Sequence, residues 1–157
     1  MFRHFKVILS IVIVLLSLFS FACKEEKKQS YDGRVYDLSE KGDQSVIAKT
    51  EKSGTKYTLT ISGSGDGVDF DRKESVPWNP IIKSIDKVII NDDVTKIGSF
   101  YFYSSVVDEF ILPASLKTIS SNAFSANQTI YCYGEDVVVD GSYKLYFYSS
   151  YPPSEFG

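Results

Sequence analysis

The chain has 157 residues, of which 43% are hydrophobic and 24% are charged, with a formal net charge of −3 at pH 7. This length suits one domain of ordinary size. The acidic balance disfavours nucleic acid as a partner, because phosphate binding requires clustered basic side chains.

The N-terminal segment predicts export. Arg3 and Lys6 give a basic start, and residues 7–22 form an apolar run without a charge. This order, ending at a small residue, is typical of a secretory signal peptide. A transmembrane anchor is the alternative, although such a span usually needs about 20 apolar residues. We predict that residues 1–22 are the signal peptide.

Cys23 follows the apolar run directly, and this junction resembles the lipobox of bacterial lipoproteins. The resemblance implies that Cys23 becomes the first mature residue and carries acyl chains. Each buried methylene would contribute about 0.8 kcal/mol to membrane binding. The implied location is the outer membrane or the cell surface, with residues 24–30 as a solvated tether. The alternative is an ordinary secreted protein in which Cys23 is a free thiol.

Removal of the signal also removes His4, the single histidine. The mature chain then has 15 basic against 20 acidic residues, a net charge of −5. Catalytic Ser–His–acid and Cys–His arrangements and histidine-bearing zinc sites are thereby excluded. Cys132 is the one other cysteine, so acylation of Cys23 would leave no internal disulfide.

The first elements of the mature chain predict a β-hairpin. Residues 45–49 and 57–62 alternate apolar and polar side chains and are rich in β-branched residues, which favours strands. Ser53 and Gly54 supply the turn between them. Residues 31–43 show no regular pattern, and residues 63–75 read as a polar, glycine-rich loop.

The sequence then repeats itself at a fixed offset. When residues 88–102 are placed above residues 110–124, an offset of 22, five apolar positions coincide. The pairs are Val88 with Phe110, Ile90 with Leu112, Val94 with Leu116, Ile97 with Ile119, and Phe102 with Phe124. A fixed period of this size is typical of a solenoid, in which each coil buries its apolar face against its neighbours.

The sequence YFYSS occurs twice, at residues 101–105 and 146–150. An offset of 22 places Phe110 beside Cys132, and an offset of 23 places Phe124 beside Phe147. We therefore predict that Phe102, Phe124 and Phe147 stack in one interior column. On this interpretation the repeated motif is architectural, and a binding motif used twice is the alternative.

The stretch LPASLKTISSNAF, residues 112–124, with VTKIGSFYF one period earlier, resembles the BspA-like leucine-rich repeats of bacterial surface proteins. The resemblance covers residues 45–133. It implies a mainly β fold with short helical turns: a short leucine-rich-repeat solenoid of parallel strands with an N-terminal β-hairpin cap. The predicted parts are a cap (31–80), coils (81–134), and a degraded repeat with a C-terminal cap (135–157).

Each coil should contribute a strand, predicted at residues 87–91, 109–112 and 130–133, and a second strand near 95–97 and 117–119. Side chains alternate along a strand, which separates an interior from an exterior set. The predicted interior set is Val88, Ile90, Phe110, Leu112, Ile130 and Cys132, with Cys132 as a small core residue and a reactive thiol as its alternative. The predicted exterior set, our candidate binding face, is Lys87, Ile89, Glu109, Ile111, Tyr131 and Tyr133. The alternative is that the C-terminal tail covers this face.

The aspartate and glutamate side chains give less support for a functional site than the repeat gives for the fold. Asp66, Asp69 and Asp71 share one loop, but their spacing does not match a calcium-binding EF-hand loop, and a solvated turn is the simpler interpretation. The neighbouring glycines do not match a phosphate-binding loop, so no nucleotide is expected. A hydrolase using carboxylate pairs remains an alternative; its candidates are Asp92, Asp93, Asp108 and Glu109.

The sequence thus predicts a non-catalytic lipoprotein without metal or cofactor, held at a membrane through Cys23. The family resemblance implies that it binds an unidentified protein or mediates adhesion. A periplasmic scaffold lipoprotein is the alternative within the same class.

Overall fold

In the computed structural model of the chain, residues 29–134 and 136–147 are described. Strands dominate these ranges, together with two short 3₁₀ helices, Lys73–Ser75 and Asn79–Ser84. The strands are β1 (Val35–Asp37), β2 (Val46–Ser53), β3 (Lys56–Gly63), β4 (Gly65–Asp66), β5 (Ile85–Ile90), β6 (Val94–Ile97), β7 (Glu109–Leu112), β8 (Thr118–Ile119), β9 (Thr129–Cys132), β10 (Val138–Val139) and β11 (Lys144–Phe147).

The described strands form three sheets. The first has the order β1-β2-β3-β5, in which β1, β2 and β3 pair antiparallel and β3 pairs with β5 in parallel. The second, β10-β8-β6-β4, and the third, β11-β9-β7, are parallel throughout. The first coil contributes β5 and β6, the second β7 and β8, and the third β9 and β10. The strands β6, β8 and β10 share the second sheet, whereas β5 lies in the first sheet and β7 and β9 lie in the third. The predicted mainly β solenoid with a hairpin cap is confirmed.

The predicted hairpin is formed by β2 and β3. Gly54 lies in its turn with a φ of 61°, a left-handed conformation that glycine adopts without steric cost. The inward-facing Leu59 and Ile61 of β3 are fully buried. The sequence pattern missed β1, which adds a third antiparallel strand within residues 31–43, because three residues are too few to display a period of two.

The cap connects to the first coil through the parallel pairing of β3 with β5 and through Trp78. This side chain is fully buried, and its indole N–H donates to the carbonyl oxygen of Tyr101 at 3.0 Å. Its ring lies 6.0 Å from that of Tyr36 and 5.4 Å from that of Tyr101. Trp78 thus links the cap sheet to the corner of the first coil.

The predicted offset holds between the first two coils, since Lys96 pairs with Thr118 and Ile97 with Ile119. Ser115, in the LPASL stretch, adds a connection between them. Its hydroxyl donates to the carbonyl oxygen of Val94 at 2.9 Å and accepts the backbone N–H of Asp93 at 3.1 Å. This serine therefore satisfies two backbone groups of the preceding coil.

The predicted spacing of the third coil is wrong by two positions. Phe110 pairs with Ile130, and Cys132 pairs with Leu112 rather than lying beside Phe110. The step from β7 to β9 is therefore 20 instead of 22. Because both values are even, the inward and outward sets keep their faces, and Ile130 and Cys132 are fully buried as predicted.

The predicted column of Phe102, Phe124 and Phe147 is wrong in its third member. Phe102 and Phe124 stack with ring centroids 5.2 Å apart, but Phe147 belongs to β11, pairs with Cys132 and is 58% exposed. Tyr143 packs against Phe124 instead, at 5.8 Å. The step from β9 to β11 is shorter again, since Cys132 pairs with Phe147. This register places Tyr146 and Phe147, the first two residues of the second YFYSS, in a strand rather than at a corner.

Tyr143 replaces a phenylalanine at this position because its hydroxyl has partners. It donates to the carbonyl oxygen of Ser120 at 2.8 Å and accepts the N–H of Ala123 at 3.0 Å. The corners at Phe102 and Phe124 are turns and bends, whereas the sequence predicted a short helical turn at each phenylalanine. Positive φ values at Phe100 and Asn122 prevent a right-handed helical turn there.

Truncation to alanine can distinguish the contribution of the buried Phe124 to stability from that of the exposed Phe147. We expect Phe124→Ala to lower the free energy of unfolding by about 3–5 kcal/mol, because it removes a buried ring and leaves a cavity. Phe147→Ala should cost about 1 kcal/mol at most, since the ring is largely exposed. Urea denaturation followed by circular dichroism measures the free energy of unfolding of each variant. Equal losses in the two variants would contradict this difference in burial and would favour the predicted column of three phenylalanines.

Candidate protein-interaction surface

An exposed apolar row crosses the outward side of the third sheet. Ile111 of β7 pairs with Tyr131 of β9, and Tyr131 pairs with Tyr146 of β11. The two tyrosine rings stack at 5.7 Å with an interplanar angle of 26°. Ile111 is 38% and Tyr146 is 42% exposed. Parallel in-register pairing therefore brings side chains that are distant in sequence into one continuous strip.

Ile89 extends this strip toward the cap. It is 38% exposed and occupies the same position in β5 that Ile111 occupies in β7, one period later. The strands β5 and β7 contact each other but belong to different sheets. Beyond β5 the facing positions become polar, with Ile89 paired to Thr60 and Thr60 to Lys49. We define the apolar row as Ile89, Ile111, Tyr131 and Tyr146.

A second row of side chains flanks the apolar row on the same face. Glu109 pairs with Thr129, and Thr129 pairs with Lys144. Lys87 occupies the equivalent position in β5. The ammonium group of Lys144 lies 5.7 Å from the ring centroid of Tyr146, a cation–π geometry. This flank carries charges of both signs beside an apolar strip, a combination that suits a protein partner better than a polyanion.

Four of the six predicted face residues, Lys87, Ile89, Glu109 and Ile111, are exposed. Tyr131 is half-buried within the apolar row. The prediction is wrong for Tyr133 as a strand residue, because β9 ends at Cys132. Sequence reasoning missed Lys144 and Tyr146. The reason is the repeated YFYSS motif: alignment of Phe147 with Phe124 assigned Tyr146 to a corner rather than to a strand.

The carboxylates of the glycine-rich loop point to separate partners. Asp66 accepts the hydroxyl of Thr95, and Asp71 accepts that of Ser75. Asp69 accepts the ammonium of Lys96 at 2.6 Å and the backbone N–H of Ser99 at 2.9 Å. Within residues 29–134 and 136–147, no group of three or more His, Cys, Asp or Glu side chains is arranged to hold a metal ion. Asp66 and Asp69 thus attach the loop to the first coil, whereas Asp71 bonds within the loop itself.

Two other predicted chemical candidates have distinct surroundings. Asp92, Asp93, Asp108 and Glu109 are all exposed. The first two follow β5, Asp108 precedes β7, and Glu109 is the first residue of β7. Cys132 is buried, and burial raises the pKa of its thiol to about 11. A thiol with a raised pKa is a poor nucleophile near neutral pH, so the prediction of a core residue is confirmed.

The predicted signal peptide (1–22) and Cys23 lie outside the described residues. In residues 29–134 and 136–147, no helix is long and apolar enough to cross a membrane.

The Asp69–Lys96 pair gives a pH-dependent test of how the glycine-rich loop is attached. Burial opposes ionisation, but hydrogen bonds from Lys96, Ser120 and Ser99 outweigh it and lower the pKa of Asp69 to about 2. Because this lies below the ordinary value of 3.8, the stabilisation is complete above pH 3.8 and is lost as the pH falls toward 2.

We expect Asp69→Asn to reduce the free energy of unfolding at pH 7 by about 1 kcal/mol, a modest value because solvent screens a side chain that is 47% exposed. The difference from wild type should vanish as the pH approaches 2, as urea denaturation across pH would show. Asp71→Asn is the control with a smaller effect. A difference that is independent of pH would contradict the assignment.

Comparison with known proteins agrees with this geometry. Residues 82–138 match the family model described as "BspA type Leucine rich repeat region (6 copies)". No curated protein matches the sequence.

A crystal structure of a leucine-rich repeat protein from Eubacterium ventriosum ATCC 27560, at 2.50 Å resolution, is similar in fold, with a TM-score of 0.52 and 18% sequence identity. The likeness covers 73% of this chain and 36% of that one, so the chain spans about a third of the length of its structural neighbour. Residues 82–138 therefore match BspA-type leucine-rich repeats, in agreement with the stacked parallel coils of the structure.

Proposed function

We propose that this chain is a lipid-anchored bacterial surface protein that binds another protein through its apolar row. Acyl chains on Cys23 would hold it at the membrane, and residues 24–30 would act as the tether. The partner would contact the exposed side chains Ile111 and Tyr146 on either side of Tyr131, together with the flanking charges. The role is binding, without a catalytic step.

The observation that carries this proposal is the row itself. Isolated exposed hydrophobic residues are ordinary on protein surfaces. Here three exposed side chains, Ile89, Ile111 and Tyr146, lie in one row with the half-buried Tyr131. Two of them are tyrosines, which are enriched at protein interfaces. The strands are fixed by backbone pairing, so a partner would bind a preformed surface and little ordering entropy would oppose association.

The family supports the same class of function. Leucine-rich repeats of this type generally mediate protein–protein binding, and proteins that carry them are typically surface or secreted proteins of bacteria. They are generally non-catalytic. The four candidate carboxylates of the alternative hydrolase are exposed to solvent, whereas catalytic carboxylates are usually tuned by burial in a cleft.

Site-specific crosslinking tests the surface. A photoreactive amino acid at position 111 should give a discrete adduct with a second protein in intact cells. The same group at position 60 of β3, on the polar part of the same face, should give none. Adding Tyr146→Glu should reduce the adduct at position 111 about tenfold, equivalent to about 1.4 kcal/mol, because tyrosines are enriched among the few interface residues whose loss costs this much. Equal adducts at positions 111 and 60 would refute the proposed surface.

Protease treatment of intact and lysed cells tests the location, with an antibody against the mature chain. Loss of the protein from intact cells would support surface exposure and adhesion. Protection until lysis would favour the alternative, a periplasmic scaffold lipoprotein. Cys23→Ser is the matched control for anchoring: the variant should move from the membrane fraction to the soluble fraction, and unchanged fractionation would contradict lipidation.

A further inference from the structure

A groove with a volume of about 410 Å³ opens between the corners of consecutive coils. Tyr103 and Ser104 line it from the first corner, Ser121 and Asn122 from the second, and the segment around Tyr143 closes it on the third. The volume is within the range of about 300–1,000 Å³ found for small-molecule sites. The groove shares no residue with the apolar row, so it is a separate surface of the molecule.

The groove exists because equivalent corners carry side chains of different size. At the offset of 22, Tyr103 of the first coil corresponds to Ser125 of the second, and Phe100 corresponds to Asn122. Aromatic rings on one corner thus stand beside small polar side chains on the next. This difference in side-chain size leaves a depression, which would be filled if every coil had a large side chain at this position. The first YFYSS motif is therefore the source of one wall.

Three aromatic rings shape the groove, and contacts hold each of them. Tyr103 is 37% exposed, and its ring packs edge-on against Phe100 at 5.9 Å. Tyr143 is fixed by its two hydrogen bonds to the second corner. Phe124 forms the almost fully buried floor. The accessible face of Tyr103 is thus a preformed apolar platform.

The polar groups of the groove are neutral and available. None of its lining side chains is charged. The hydroxyls of Ser121 and Ser142 and the amide of Asn122 have no hydrogen-bond partner among the described residues. Each hydroxyl offers a donor and acceptors, and the amide offers both. Ser125, in contrast, is already committed, because its hydroxyl accepts the backbone N–H of Ser104 at 2.9 Å.

We infer that this groove binds a neutral saccharide. One face of a pyranose ring presents C–H groups that can stack on the Tyr103 ring, while its hydroxyls can both donate to and accept from Ser121, Asn122 and Ser142. An anionic or cationic ligand would find no counter-charge and would lose hydration without compensation. A purely apolar ligand would leave the serine and asparagine groups unpaired.

Amide chemical shifts in nuclear magnetic resonance spectra test this inference on the chain from Cys23 to Gly157, in phosphocholine detergent. The probes are cellobiose, maltose and N,N′-diacetylchitobiose, with a sulfated heparin disaccharide for comparison. At least one neutral disaccharide should shift the amides of Ser104, Asn122 and Ser142. The sulfated disaccharide should not. Absence of shifts with all three neutral probes, or equal binding of the sulfated probe, would overturn the proposal.

Matched variants locate the site. Tyr103→Ala should weaken binding of the responding disaccharide about 3–10-fold, the range expected for loss of one stacking ring. Tyr103→Phe keeps the ring and should bind within about twofold of wild type. Ser142→Trp, at an exposed position, should fill the groove and abolish binding. Tyr146→Glu, in the apolar row, should leave saccharide binding unchanged. Undiminished binding by both Tyr103→Ala and Ser142→Trp would place the saccharide elsewhere and refute the site.

Discussion

A chain of aromatic contacts runs from the cap to the last coil, and the rest of the described fold depends on it. Trp78 packs against Tyr101, Tyr101 against Phe102, Phe102 against Phe124, and Phe124 against Tyr143, with ring centroids between 5.2 and 6.1 Å apart. Such rings bury large apolar areas and favour edge-on or offset geometries. A short solenoid has few coils over which to accumulate burial, so these large side chains supply much of its core.

This aromatic core also imposes constraints on the backbone around it. Tyr101 is fully buried, and a Cβ atom on Gly67 would lie 2.5 Å from its hydroxyl oxygen. A Cβ atom on Gly98 would clash with the carbonyl oxygen of Val68. Glycine at both positions lets the loop after β4 pass close to the first corner. The same loop is attached there by Asp69 and Lys96, so core size and loop position are linked.

Both candidate surfaces follow from the way coils stack. In-register parallel strands place equivalent side chains side by side, which turns separate residues such as Ile111, Tyr131 and Tyr146 into one row. Where successive coils differ in side-chain size, the same stacking leaves a depression, as between Tyr103 and Ser125. Similarity between coils therefore makes the flat face, and dissimilarity makes the groove.

The sequence by itself determined the hairpin, the two parallel coils and the period between them, because Val94 to Leu116 and Ile97 to Ile119 repeat at one spacing. It also determined which side of each strand is outward, since that depends only on alternation. The last coils were decided by tertiary structure. The connections from β7 to β9 and from β9 to β11 become successively shorter. A coil can lose residues from a turn when a different side chain fills the interior position at its corner. Tyr143 fills the position expected for Phe147 because its hydroxyl satisfies two backbone groups. The identical sequence of the two YFYSS copies could not predict this difference, because the position of a segment in a coil depends on the strand pairing of its backbone and not on its residues alone.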